Sequence, residues 1–318
     1  MIDESVRGMD LYILVDVCNY SLTYSMSGNT NHMSPDDHYQ NLKRIIAAVG
    51  GKAKRINVIM PFLYESRQHK RSSRESLDCA LALQELTHMG VDNIITFDAH
   101  DPRVQNAIPL SGFETVRPTY QFVKGLLDRY DDLIIDSDHM MAISPDEGAT
   151  ERAVYLANVL NLDMGMFYKR RDYTRVVNGR NPIVAHEFLG SSVEGKDVII
   201  LDDMISSGDS ILDVAKQLKS RNAKRIFAAA TFGLFTNGLD KFDEAYESGL
   251  IDGVLTTNLI YQTPELLSRP YYINCDMSKY VALMIDTLNH DGSISDILDP
   301  SERIQVCVEE YKKAHGQL

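Results

Sequence analysis

The chain is short of positive charge: 32 Lys and Arg face 45 Asp and Glu, a formal net charge of −13 over 318 residues. That excludes a bulk electrostatic footprint for nucleic acid, which rests on cations neutralising phosphates. Cysteine is scarce as well. Cys18, Cys79, Cys275 and Cys307 lie far apart, with no CxxC pair and no Cys/His spacing of a zinc site, so they read as reduced thiols and not as a disulfide scaffold. Long apolar runs are also missing: none reaches the roughly 18 residues of a membrane helix. The opening MIDESVRGMD is acidic where a signal peptide is basic. The expected location is cytoplasmic.

What the chain does have is a globular composition, 44% hydrophobic and 24% charged, and length for two domains at roughly 150 residues each. Short apolar runs predict buried strands at Leu11–Val15, Ile56–Met60, Asn93–Phe97, Leu133–Ile135, Met164–Phe167, Val198–Leu201, Ile226–Ala230 and Gly253–Leu255. Helical stretches such as Asp36–Val49, Ser76–Met89, Thr150–Leu160 and Ser210–Arg221 fall between them. Strands apolar on both faces, alternating with helices, give an α/β fold with parallel sheets flanked by helices. The chain also repeats itself. GMDLYILVD from Gly8 recurs as GKDVIILDD from Gly195, AKRI from Ala53 recurs from Ala223, and VDNIIT from Val91 recurs as IDGVLT from Ile251. Three collinear matches point to one duplicated α/β domain whose second copy has shorter connections. The boundary is expected in the polar stretch Asp128–Asp132, giving domains 1–128 and 129–298 and a tail 299–318. In the tail, Ile304, Val308 and Tyr311 fall at i, i+4 and i+7, as in a terminal amphipathic helix.

The segment VIILDDMISSGDS, Val198 to Ser210, is a strand entering a loop that opens a helix. Ser206, Ser207 and Gly208 place hydroxyls and free N–H groups at a helix N-terminus, where a phosphate is favoured. The Asp202-Asp203 pair would repel that phosphate unless it takes ribose hydroxyls or a magnesium ion. A strand end with an Asp/Ser helix cap is the plain structural alternative. This segment resembles the phosphoribosyl-diphosphate (PRPP) loop of type I phosphoribosyltransferases and, more closely, of ribose-phosphate diphosphokinases. In that family two such domains are fused and only the second keeps the loop. The family loop usually reads Asp-Asp-Met-Ile-Asp-Thr-Gly-Gly-Thr; here Ser206 stands for its third acid and Asp209 for its second glycine.

The resemblance extends over nearly the whole chain, from Glu4 to about Leu298. IMPFLYESRQHK from Ile59 is similar to the family segment in which Arg-Gln contacts ATP, which assigns Arg67 and Gln68 to ATP. Taken by itself, the run containing Arg67, Lys70, Arg71 and Arg74 is equally a solvated basic face. FDAH, ending at His100, resembles the family's Asp-Leu-His and implies a histidine beside ATP phosphates and metal, where a lone loop histidine is the alternative. SPDEGAT from Ser144 resembles the diphosphate loop and makes Asp146 a Mg²⁺ ligand; helix capping by Ser144 and Asp146 is its rival. Lys169-Arg170-Arg171 opens what the family resemblance implies is a catalytic loop, with Lys169 and Arg171 neutralising the transferred group, and the polar stretch 172–195 is expected to be a mobile lid.

Together these imply transfer of a diphosphoryl group from ATP to O1 of ribose 5-phosphate, with Mg²⁺ as cofactor. Asp202, Asp203, Ser206, Ser207, Gly208, Asp209 and Ser210 form the ribose 5-phosphate loop. The family implies a homo-oligomer of dimers assembling into hexamers. Its members also carry, before the Glu4–Gly8 element, a first strand, a helix and an acidic turn contacting adenine, and this chain is expected to lack that segment. The alternatives are a non-catalytic regulatory homologue, suggested by Ser206 and Asp209, and a phosphoribosyltransferase, which the Lys169–Arg171 triplet argues against.

Overall fold

The computed structural model describes residues 2–171 and 183–317, with side chains described for 2–168 and 187–317. It divides into two compact units that are not contiguous in sequence. Unit 1 comprises residues up to Pro118, Asn258–Gln262 and Asp276–Asp299; unit 2 comprises Thr119–Thr257, Thr263–Cys275 and the residues from Pro300 onward. The contiguous division at residues 128/129 and 299 differs from this in placing 119–128 with the first domain and 258–262 and 276–298 with the second, and in setting apart a tail that belongs to unit 2.

Unit 1 holds strands β1 (Asp10–Leu14), β2 (Thr23–Met26), β3 (Asn29–His32), β4 (Arg55–Ile59), β5 (Asn93–Phe97) and β6 (Gly112–Val116). Its helices are α1 (Pro35–Val49) and α2 (Asp78–His88), with further helices at Ser278–Asn289 and Ser295–Leu298. Strands β1, β4, β5 and β6 form a parallel sheet in that order. Local chemistry sets the helix ends. In α1, Ser34 and Asp37 form a reciprocal capping box, Pro35 takes a first-turn position where its missing N–H costs nothing, and Gly50 closes the helix at φ 61°. Strands β2 and β3 make a polar, exposed hairpin whose turn residues Ser27 and Gly28 both have positive φ.

Unit 2 holds α3 (Thr119–Arg129), β7 (Met140–Ser144), α4 (Thr150–Leu160), β8 (Asp163–Arg171), β9 (Ile183–Leu189), β10 (Asp197–Ile205), α5 (Asp209–Lys219) and β11 (Ile226–Gly233). It continues through α6 (Asp240–Glu247), β12 (Gly253–Thr257), α7 (Pro264–Leu267) and β13 (Tyr272–Cys275), and includes the last helix, Ser301–Ala314. In chain order the two helices of 278–289 and 295–298 are α8 and α9, and the last is α10. The sheet runs β13-β12-β11-β10-β7-β8-β9, parallel except for edge strand β9. Alternate residues of its central strands feed two cores: Ile199, Leu201, Phe227 and Ala229 face one, Val198, Ile200, Ile226 and Ala228 the other. That is why these runs are apolar throughout. Tail residues Ile304, Val308 and Tyr311 are the buried face of α10, which packs on the first of these cores.

Two sequence expectations change. Leu133–Ile135 is not a strand; Leu133 and Ile135 are buried in the core and Ile134 is exposed, while the strand is Met140–Ser144. Ile183–Leu189, inside the expected lid, is strand β9 paired with β8. Residues 172–182 of that stretch lie outside the described residues.

The internal repeat is structural. Its segments fall on β1 and β10, β4 and β11, and β5 and β12, and the register repeats too: Leu11 pairs with Ile56 as Val198 pairs with Ile226, and Asn57 with Asn93 as Phe227 with Gly253. Ile56 N donates to Asp92 Oδ2 and Ile226 N to Asp252 Oδ2, both at 2.8 Å. Arg55 Nε donates to Asp10 Oδ1 and Arg225 Nε to Asp197 Oδ1, both at 2.9 Å.

Candidate functional site

In unit 2 the site forms at the carboxyl ends of β7 and β10. Ile143 is in register with Ile200, so β7 ends at Ser144 while β10 runs on to Ile205, and the loop after β7 leaves the sheet at the level of Asp202 and Asp203. After β7, Ser144 Oγ donates to Asp146 O at 2.6 Å, and Asp146 Oδ1 accepts from Gly148 N at 3.0 Å and Ala149 N at 3.3 Å. Asp146 therefore organises the turn ahead of α4, while the helix itself begins after Ala149 with no side-chain cap. A Cβ at Gly148 would meet Asp146 Oδ1 at 3.3 Å, so glycine leaves that carboxylate room.

On β10, Asp203 is buried and its N–H donates to Asp202 Oδ1 at 2.9 Å. Burial, and next the charge of Asp203, push the Asp202 carboxyl well above the ordinary carboxylate range; Asp146 adds to the same effect. The structure thus brings Asp146 and Asp202, 56 positions apart in sequence, into one field. Among the described residues there is no group of three or more His, Cys, Asp or Glu placed to hold a metal unaided.

The loop beyond β10 is braced by the segment that follows β11: Thr236 N donates to Ser206 O at 3.0 Å. Gly208 precedes α5 at φ 83°, and a Cβ there would come within 2.4 Å of the Phe242 ring on α6. Both the left-handed backbone and this contact require glycine. Asp209 occupies the first position of α5, and its neighbour Ser210 is exposed to solvent. Ser207 Oγ donates to Asp209 Oδ2 at 2.9 Å, and Lys241 Nζ to Asp209 Oδ1 at 2.5 Å. Lys241, ahead of Ser207, holds the Asp209 carboxyl below its usual range. Sequence reasoning missed Lys241; the available signal was a cation in the first turn of a helix, where the dipole disfavours it.

Unit 1 gathers Gln68, His69 and His100. His69 and His100 meet edge to face at 5.1 Å between ring centroids. Burial, and then His100, lower the His69 pKa. His69 Nε2 lies 3.6 Å from Asp101 Oδ2, and its Nδ1 bonds to Arg67 O at 3.2 Å. Asp101 is held down to about 2, chiefly by its hydrogen bonds from the Arg103 side chain. Gln68 Nε2 donates to Ser76 O at 3.0 Å and so fixes the loop between β4 and α2. Arg67, Lys70, Arg71 and Arg74 are exposed. Arg67 and His100 are thus on loops tied together through His69. Lys169 and Arg171 belong by their backbone to β8, opposite His186 and Ile183 of β9; their side chains lie outside the described residues.

The profile of the N-terminal domain of ribose phosphate pyrophosphokinase matches residues 1–90, and the phosphoribosyl transferase domain matches residues 117–257. The ribose-phosphate pyrophosphokinase of Mycoplasma genitalium is 31% identical over 262 residues, 82% of this chain and 71% of that protein. The Vibrio parahaemolyticus protein of the same name is 28% identical over 298 residues, 92% of this chain and 85% of its own length. The crystal structure of phosphoribosylpyrophosphate synthetase from Mycobacterium smegmatis superposes with a TM-score of 0.74 at 24% identity, covering 92% of this chain and 86% of that one, and so shares its fold. Two profiles in the right order, together with relatives matched over most of their length, show that the chain belongs to the ribose-phosphate pyrophosphokinase family.

Proposed function

We propose that the chain is a Mg²⁺-dependent ribose-phosphate diphosphokinase, in which the anomeric hydroxyl of ribose 5-phosphate attacks the β-phosphorus of ATP to give PRPP and AMP. The observation that carries this reading is the β10 loop, where paired carboxylates run into a glycine-dependent turn at the head of α5. Asp202 and Asp203 face ribose hydroxyls in this reading, and Ser206 to Ser210 surround the 5-phosphate. Arg67, Gln68 and His100 in unit 1 serve ATP. Lys169 and Arg171 stabilise the charge of the transferred group, as positioning and neutralisation carry most of this chemistry.

The residues present fit Mg²⁺. The half-buried Asp202 carboxyl is pushed up by desolvation and by two neighbouring acids, a repulsion a cation relieves. Mg²⁺ is commonly bound by one or two carboxylates plus substrate oxygens and water, which suits a site without three protein ligands. Asp146 and Asp202 would hold it, with His100 assigned to the ATP phosphates and their metal. When bound, the ion neutralises the diphosphoryl oxygens. Homo-oligomeric assembly and a cytoplasmic location complete the proposal; among the described residues no helix is long and apolar enough to cross a membrane.

Ribose 5-phosphate-dependent release of AMP from ATP, followed by chromatography with and without Mg²⁺, tests the reading. Production of ADP in place of AMP would refute diphosphoryl transfer. A second reading, a binding homologue without catalysis, is favoured by Ser206 and Asp209, and predicts saturable ribose 5-phosphate binding with no AMP.

A further inference from the structure

The loop after β10 already contains an anion. Asp209 sits at the first position of α5, where the helix dipole favours negative charge, and both its oxygens are engaged, one by Ser207 Oγ at 2.9 Å and one by Lys241 Nζ at 2.5 Å. A hydroxyl, an ammonium and a helix N-terminus are the groups that would receive a sugar phosphate here. Lys241 is not at this place by accident of a flexible stem. Its neighbour Phe242 is fully buried, packs edge to face on Phe235 at 5.2 Å, and fills the space that a side chain at 208 would need. The same contact that requires Gly208 therefore seats the first turn of α6 beside the loop. Asp240 and Asp243 share that turn, so Lys241 is a cation in an acidic turn at the positive end of a helix. The dipole opposes it, and the Asp209 carboxylate compensates.

We propose that Asp209 is a resident competitor of the 5-phosphate and that Lys241 is the cation they contend for, so that this pair sets the affinity of the loop for its sugar phosphate. The inference rests on the reading of this loop as the ribose 5-phosphate site and deepens it. Binding of the dianion takes Lys241 and the Ser207 hydroxyl from Asp209, and the carboxylate left behind repels the phosphate. Neither residue is called catalytic; both act on ground-state affinity.

Calorimetry on the full chain tests this with ribose 5-phosphate as ligand and ribose as the phosphate-free control. Asp209→Asn keeps the shape and removes the charge, and should bind ribose 5-phosphate about tenfold more tightly; Lys241→Met should bind about tenfold more weakly, and the double variant should return toward wild type. Asp209→Gly is the second form of the test and should match Asp209→Asn. Both positions are exposed, so thermal melts should show folded variants with small shifts. Wild-type binding that is unchanged or weakened in Asp209→Asn overturns the inference alone and leaves the function intact. Binding by neither wild type nor Asp209→Asn overturns it together with the assignment of the loop. Binding gained only in Asp209→Asn supports it in its strongest form.

Discussion

At the matching ends of β1 and β10 the chain does two different things with one backbone plan. Asp16 occupies the position of Asp203 in the repeat, and Val15 that of Asp202. Asp16 accepts hydrogen bonds from Cys18 N at 2.9 Å and Tyr261 N at 2.7 Å, so it clasps segment 258–262 into unit 1. Burial raises its pKa. Asp203 instead pairs with a second acid, and the chain then turns through Gly208 into α5 without the intervening hairpin of unit 1. The underlying sheets keep the same register, the same Asp-to-backbone bonds and the same Arg–Asp pair. A sheet edge is therefore a mount, and the loop placed on it decides whether an acid there holds the chain together or sits beside a second acid at the head of a helix.

The largest expected effect breaks that comparison on the catalytic side. Replacing Lys169 or Arg171 with Ala should lower kcat by roughly two to three decades, since losing one charge-stabilising donor typically costs ~3–4 kcal/mol. Substrate KM should stay within a few-fold, and steady-state kinetics checks it; a change confined to KM would remove these residues from the transition state.

Next come the paired scaffold ions. Arg225→Met leaves Asp197 buried without its main partner and should cost ~3 kcal/mol of stability in denaturant melts. Arg55→Met, the matching change in unit 1, should cost less, because each arginine also reaches one exposed acid, Asp291 or Asp132, but the Arg55 side chain is 26% exposed against 14% for Arg225.

Glycines sharpen the comparison further. Gly208→Ala meets both a positive φ and the Phe242 ring, and should lose ~2–4 kcal/mol from strain and overpacking together. Gly8→Ala and Gly195→Ala, equivalent in the repeat and each at φ 72° with open space around the Cβ, should lose only ~1 kcal/mol apiece, and by equal amounts. Thermal melts of the three variants decide.

The smallest effect is on pH. Asp202 is an acid whose folded pKa is raised, so the folded state is penalised once it ionises, and that penalty fades as pH falls toward the ordinary carboxylate range. Asp202→Asn should therefore raise the melting temperature at neutral pH, flatten its pH dependence, and weaken ribose 5-phosphate binding. A lower melting temperature at neutral pH would show that the carboxylate is already compensated.

Much of this was legible in the sequence because it rests on local pattern. Asn93–Phe97 and Thr150–Leu160 are observed with the predicted limits. The repeat was visible as strings before it was visible as registers. In the hairpin β2–β3 only β2 alternates, through Tyr24 and Met26, while β3 is polar throughout, too short a pattern to signal two strands. Leu133–Ile135 misled because two buried side chains of a loop, with exposed Ile134 between them, leave the same short apolar run as a strand. The exchange of segments between units depends on contacts such as Asp16 with Tyr261, 245 positions apart. Lys241 escaped for the same reason, lying 32 positions from Asp209. Composition records what a residue is, and only the fold shows what it faces.

The most direct test of the account measures ribose 5-phosphate-dependent AMP release from Mg-ATP side by side in the wild type, Asp203→Asn and Asp16→Asn, each with its melting temperature. The account predicts that Asp203→Asn loses AMP release while remaining folded, and that Asp16→Asn melts lower yet keeps its activity per folded molecule. Equal activity losses in the two variants, or an active Asp203→Asn, would contradict it.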